Sequence, residues 1–125
     1  MKRRYIRPND ELTDDTVVVI RGGQLDRDLL VRDAQRAHIV YGTYAISVFA
    51  AVDVTVDELA QEPPLVRFES LTLMAVGAIK AASLVIRPTG RNRLHYSVEF
   101  HDLEDGIARL LRCEHRTIVN PYHER

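Results

Sequence analysis

The apolar positions along the chain change period several times, and each change marks an element. Val17-Val18-Val19-Ile20 is an unbroken β-branched run, which predicts a strand buried on both faces. Arg21 ends the run and Gly22-Gly23 breaks it. From Leu25 to about Tyr41 the spacing turns helical. Leu25, Leu29, Leu30, Ala34, Ala37 and Tyr41 fall on one broad face, Asp26 and Asp28 suit the positive end of the helix dipole, and Gly42 is a stop signal. A second apolar strand follows over Tyr44–Ala51. Thr55-Val56-Asp57-Glu58 then has the capping-box pattern, with Thr55 as N-cap, Glu58 three residues on, and Val54 and Leu59 placed as a hydrophobic staple. It predicts a short helix over 56–61, ended by Pro63-Pro64.

In the second half, Arg67–Val76 reads as a long strand, apolar on both faces toward its end, and Gly77–Ala82 as a turn or a single helical turn. Ser83–Arg87 is a further strand, closed by Pro88-Thr89-Gly90. Leu94–Phe100 alternates cleanly: Leu94, Tyr96, Val98 and Phe100 share one face, while His95, Ser97 and Glu99 share the other, with His101 in line. Asp102 caps a last helix whose stripe is Leu103, Ile107, Leu110 and Leu111. Residues 1–16 and 116–125 show no period and are expected to be an irregular lead-in and tail. The order of elements predicts a single α+β domain with a mixed sheet of about five strands and two to three packed helices. Because 17–20, 45–50 and 70–76 are apolar on both faces, they should be neighbouring central strands.

Composition narrows the function classes. The chain has 125 residues, 46% apolar and 28% charged, enough for one core and too hydrophobic for disorder. Cys113 is its single cysteine, which excludes an internal disulfide and a zinc cage of paired cysteines. The formal net charge is −1, so any contact with RNA or DNA must be local. The basic start Met1–Pro8 is not followed by an apolar stretch, and no run approaches the ~18 apolar residues of a membrane span. A cytoplasmic protein with no membrane association is the expectation.

Four constellations carry possible chemistry. Arg21-Gly22-Gly23 opens from a buried strand end. Glycine lets a phosphate or a ring approach the backbone, and arginine is a bidentate anion clamp. Tyr41-Gly42-Thr43-Tyr44-Ala45-Ile46-Ser47 brings two aromatic rings and two hydroxyls to the start of a strand, suited to stacking on a nucleobase or nicotinamide and to holding ribose. Pro88–Tyr96 is a turn carrying Arg91, Asn92, Arg93 and His95, a set suited to phosphate or RNA. The outward set His95, Ser97, Glu99 and His101 supplies a carboxylate on a strand. Its side chains repeat every ~7 Å, too far apart to form a metal site alone, and no metal is expected.

In these residues the chain resembles the ADP-ribosyltransferase superfamily, which includes small bacterial toxins. A first core strand ends in Arg21-Gly22, a helix follows, and then comes the strand bearing Gly42-Thr43-Tyr44 and Ser47, before the short helix at Thr55–Gln61. The resemblance implies NAD as co-substrate, with Arg21, Tyr44 and Ser47 around the nicotinamide ribose and Glu99 as the catalytic carboxylate. Glu99 stands without the Glu-x-Glu or Gln-x-Glu context. Catalytic candidates are therefore Arg21, Tyr44, Ser47, His95 and Glu99, with Gly22, Gly23, Tyr41, Arg91 and Arg93 as substrate-binding candidates. Two other classes stay open. One is a metal-independent ribonuclease toxin using His95 with Arg91 and Arg93; the other is a non-catalytic interaction domain. Either enzymatic reading brings a cognate antitoxin-like protein partner, and a homo-oligomer stays open.

Overall fold

The computed structural model describes residues 12–50, 55–63, 65–89 and 94–124, with the backbone alone at Arg21. Its elements are β1 (Val17–Gly22), α1 (Arg27–Tyr41), β2 (Tyr44–Phe49), α2 (Val56–Ala60), β3 (Ser70–Ala75), α3 (Val76–Ala81), β4 (Val85–Pro88), β5 (His95–Phe100), α4 (Leu103–Arg112) and β6 (His115–Val119). The strands form one six-stranded sheet in the order β4-β5-β2-β1-β3-β6, and all neighbouring pairs are antiparallel. The chain is thus an α+β domain. The three runs apolar on both faces are the adjacent strands β2, β1 and β3 at the middle of the sheet. Val18, Val19 and Ile20 are fully buried there, as are Leu71, Leu73 and Met74.

Directly opposed residues of an antiparallel pair share a face. Tyr44, Ile46 and Val48 oppose Phe100, Val98 and Tyr96, and this apolar face packs on the helices. Leu30 and Ala34 of α1 are its buried positions, and α4 contributes Ile107 and Leu110. Gly106 of α4 lies so close to the sheet that an added Cβ would come within 2.2 Å of the Phe100 ring. Arg27 bridges α1 to Glu104 of α4. On the other face Ala45, Ser47 and Phe49 oppose Glu99, Ser97 and His95, and Val85 and Arg87 of β4 extend the same surface.

Two features break the regularity of the central strand. Val19 opposes Leu73 while Arg21 opposes Thr72, so Ile20 is an extra residue in β1, a β-bulge. On its other side β1 meets β2 at one register position, Val19↔Phe49. From there β1 keeps its ladder with β3 through Gly22, and β2 keeps its ladder with β5 back to Tyr44. Among the described residues no ladder joins the two strands beyond that point, and the sheet is open between them.

Thr55 and Asp102 cap their helices as the sequence places them, whereas Asp26, expected in the first turn of α1, is its N-cap. Asp26 accepts from the backbone N–H groups of Asp28 and Leu29, and Asp102 from that of Asp105. Thr55 and Glu58 form the reciprocal capping box; the staple residue Val54 lies outside the described residues. Gly77–Ala82, expected as a turn or a single helical turn, is helical: Gly77–Ala81 belong to the six-residue helix α3 and Ala82 is its C-cap. Arg67–Glu69 precedes β3 as turn and bend, because the N–H groups of Leu65 and Val66 bond back to Glu62 and that of Phe68 to Leu65.

The larger correction concerns the tail. Residues 116–125, expected to be irregular, begin inside β6, a sixth strand that pairs with β3 from Met74↔His115 to Ser70↔Val119. It is an edge strand, so charged and polar residues are tolerated and no alternation marks it; Val119 is 78% exposed. Past it, buried Asn120 donates to the carbonyls of Ala60 and Leu65 and accepts from the N–H of Tyr122. Tyr122 Oη donates to Asp57 Oδ2 at 2.7 Å, which holds the phenol above its ordinary range.

The capping box predicts a measurable loss. Thr55→Ala removes the acceptor for the Glu58 N–H and should destabilise the domain by about 1 kcal/mol in urea and thermal melts. Melts that overlay the parent would mean that the cap contributes nothing.

Candidate functional site

A groove of about 950 Å³ lies on the sheet face away from the helix-packed core, within the size range of small-molecule sites. Its floor is built by alternation on β2, β5 and β4. Ser47 lies directly opposite Ser97, and Ala45 opposite Glu99. Arg87 lies opposite Ser97 from the other side. Phe68 and Arg67 form one wall, from the turn that precedes β3. Where the sheet opens between β1 and β2, Asp33, Arg36, Ala37 and Val40 of α1 line the same space. These positions fall at i, i+3, i+4 and i+7, one stripe beside the stripe that α1 buries in the core.

At one end of the floor Glu99 is held by Arg87, whose Nε donates to Oε2 at 2.7 Å; the carboxylate side chain is 18% exposed and the guanidinium side chain 61%. At the other end His95 Nδ1 lies 3.0 Å from both the Thr89 carbonyl oxygen and Thr89 Oγ1. A carbonyl can only accept, so Nδ1 carries the proton of the neutral ring and Nε2 keeps its lone pair. Thr89 Oγ1 also bonds Ser97 Oγ at 2.7 Å, and the edge of the imidazole–Phe49 pair fixes the ring plane, with centroids 5.6 Å apart at 83°. The three side chains His95, Thr89 and Ser97 are therefore locked to one another. His95 and Glu99 are four residues apart on β5, roughly 13 Å by strand rise, so they address different parts of a ligand.

The candidates named from the sequence separate into three groups. Ser47, His95 and Glu99 come together on the floor, Gly22 lines the groove, and Tyr41, 81% exposed, stands at its lip. Gly22 has no room for a side chain: an added Cβ would come within 2.2 Å of the Phe68 ring. Tyr44 is on the opposite face, because an odd separation from Ser47 on a strand reverses direction; its ring stacks on His38 at 4.4 Å and lies near-parallel to Phe100 at 6.3 Å. Arg21 pairs through its backbone with Thr72 just past the bulge. Gly23 donates its N–H to the Ser70 carbonyl and accepts from Thr72 Oγ1, which makes it part of the turn. Arg91 and Arg93 lie outside the described residues. Thr89, Arg87, Arg36 and Arg67 were not picked out as site residues. Thr89 and Arg87 could have been, since 85, 87 and 89 share one face of an extended strand. Arg67 belongs to a turn that the sequence pattern reads as strand.

No family model, no curated protein and no solved structure matches this chain. Among the described residues no group of three or more His, Cys, Asp or Glu is placed to hold a metal ion, and no helix is long and apolar enough to cross a membrane.

Cys113 is remote from this chemistry. It is buried, its Sγ is near the carbonyls of Ala78 and Arg109, and burial pushes its thiol up against the opposing pull of Arg112. Under native conditions a disulfide reagent should react with it at least ~100-fold more slowly than in denaturant. Equal rates would show an accessible thiolate instead.

Proposed function

We propose that the groove binds a nucleotide-class ligand, with NAD as the co-substrate, and that the chain acts on its ribose as a small toxin-like ADP-ribosyltransferase or NAD glycohydrolase. The observation that carries this reading is the juxtaposition of Glu99, shielded and ion-paired to Arg87, with the hydroxyls of Ser47 and Ser97 on one floor. In NAD the bond to break joins ribose C1′ to the nicotinamide nitrogen. Its electron pair leaves with nicotinamide, and the ribose becomes oxocarbenium-like. A fixed carboxylate in a shielded groove stabilises that charge, and water or an acceptor nucleophile then adds at C1′. Ser47 and Ser97 are placed to hold ribose hydroxyls, and Tyr41 at the lip takes over the stacking role that Tyr44 cannot fill.

A second reading is favoured by one specific observation, the fixed tautomer of His95. With Nδ1 donating to Thr89, Nε2 is a ready general base, as RNA cleavage requires. In either reading a growth-arresting activity in the cytoplasm calls for a cognate protein partner that restrains it.

Nicotinamide release from NAD by the purified chain separates these possibilities, with RNA cleavage as a parallel assay. Glu99→Gln should lower NAD turnover by at least ~100-fold with little change in Tm. RNA cut in a His95-dependent way with NAD untouched would replace this reading by the ribonuclease. Neither reaction would leave a non-catalytic interaction domain.

A further inference from the structure

The groove has cationic groups that the floor chemistry does not use. Arg87 is committed to Glu99, but Arg36 and Arg67 also line the groove, and among the described residues neither is in an ion pair. They come from unrelated parts of the chain, α1 and the turn before β3, and they reach one space because the sheet is open between β1 and β2. Asp33, on the same stripe of α1, is engaged in an interaction of its own.

Each arginine is placed by its surroundings. Arg36 rises from a groove-lining helix stripe that also carries Asp33, Ala37 and Val40, and among the described residues it enters no ion pair with that carboxylate. Arg67 lies over the Phe68 ring, with its guanidinium carbon 5.6 Å from the ring centroid. The Phe68 ring is seated against Gly22, at the end of β1. The absence of a side chain at Gly22 thus lets Phe68 settle on the strand, and Phe68 carries Arg67 at the mouth of the opening. Two guanidinium groups that enter no ion pair among the described residues line one space, in a chain whose net charge is −1, and add positive potential there.

We infer that Arg36 and Arg67 form a clamp for the phosphate or pyrophosphate of the ligand, so that the site selects phosphorylated nucleotides over nucleosides. This rests on the nucleotide reading of the floor for its base and ribose. The clamp itself stands on the two arginines and the opening between β1 and β2. Guanidinium groups suit this task because each presents a planar fork of donors to phosphate oxygens.

Calorimetric titration of the full chain with AMP, adenosine and pyrophosphate tests it, alongside Arg36→Gln and Arg67→Gln. Both side chains are exposed, and circular dichroism serves to check that the variants fold. AMP should bind at least roughly tenfold more tightly than adenosine, and each substitution should weaken AMP by roughly tenfold while leaving adenosine unchanged. Added salt should weaken AMP and pyrophosphate and spare adenosine. Equal affinity for AMP and adenosine, variants that bind AMP and pyrophosphate as the parent does, or no binding of either anion would each overturn the clamp. Pyrophosphate bound through both arginines, with AMP no tighter than pyrophosphate and NAD not consumed, would uphold the clamp and remove the nucleotide reading instead.

Discussion

Six residues, Val17–Gly22, have to serve two neighbouring strands at once, and they do so unequally. Toward β3 the ladder runs from Val17↔Ala75 to Gly22↔Leu71, and the bulge at Ile20 lets it continue past Val19. Toward β2 it is a single contact, Val19↔Phe49. β2 meanwhile stays paired with β5 along its whole length on its other edge. The opening in the sheet, the stripe of α1 that lines it and the wall at Phe68 all follow from this division. A slip of β2 against β5 by one residue would turn Ser47 toward the helices and Ile46 toward the groove, burying a hydroxyl and exposing an aliphatic side chain. The apolar face Tyr44, Ile46, Val48 thus fixes the polar floor as well as the core.

Strand periodicity made much of this legible before any coordinates. The runs at 17–20, 45–50 and 70–76 put apolar residues on both faces and demand cover on both, and only central positions in a sheet provide it. Strict alternation at 94–100 put His95, Ser97 and Glu99 on one side. The caps at Thr55 and Asp102 were readable because Asp and Thr accept from the first free N–H groups of a helix wherever they occur. The same alternation argues against grouping Tyr44 with Ser47, since three steps along a strand reverse direction.

What stayed hidden depends on long-range pairing. Arg36 and Arg67 are ordinary surface residues in their own segments, and only the gap between β1 and β2 gives them a common space. The bonds of Thr89 to His95 and Ser97 cross from β4 to β5, and the sequence carries no spacing signal for that register. β6 was missed because His115-Arg116-Thr117-Ile118-Val119 has polar residues where a central strand would be apolar. At the sheet edge they face solvent and cost little.

The buried amide of Asn120 links a late part of the chain to an early wall. Its donors hold the carbonyls of Ala60 and Leu65, and Leu65 lines the groove beside Arg67 and Phe68. During synthesis those wall residues leave the ribosome about five dozen residues before their anchor does, a lag of several seconds at ordinary elongation rates. Until Asn120 emerges, the wall lacks the amide that ties Leu65 to Ala60. The wall of the groove is therefore completed only when this late-emerging amide is in place.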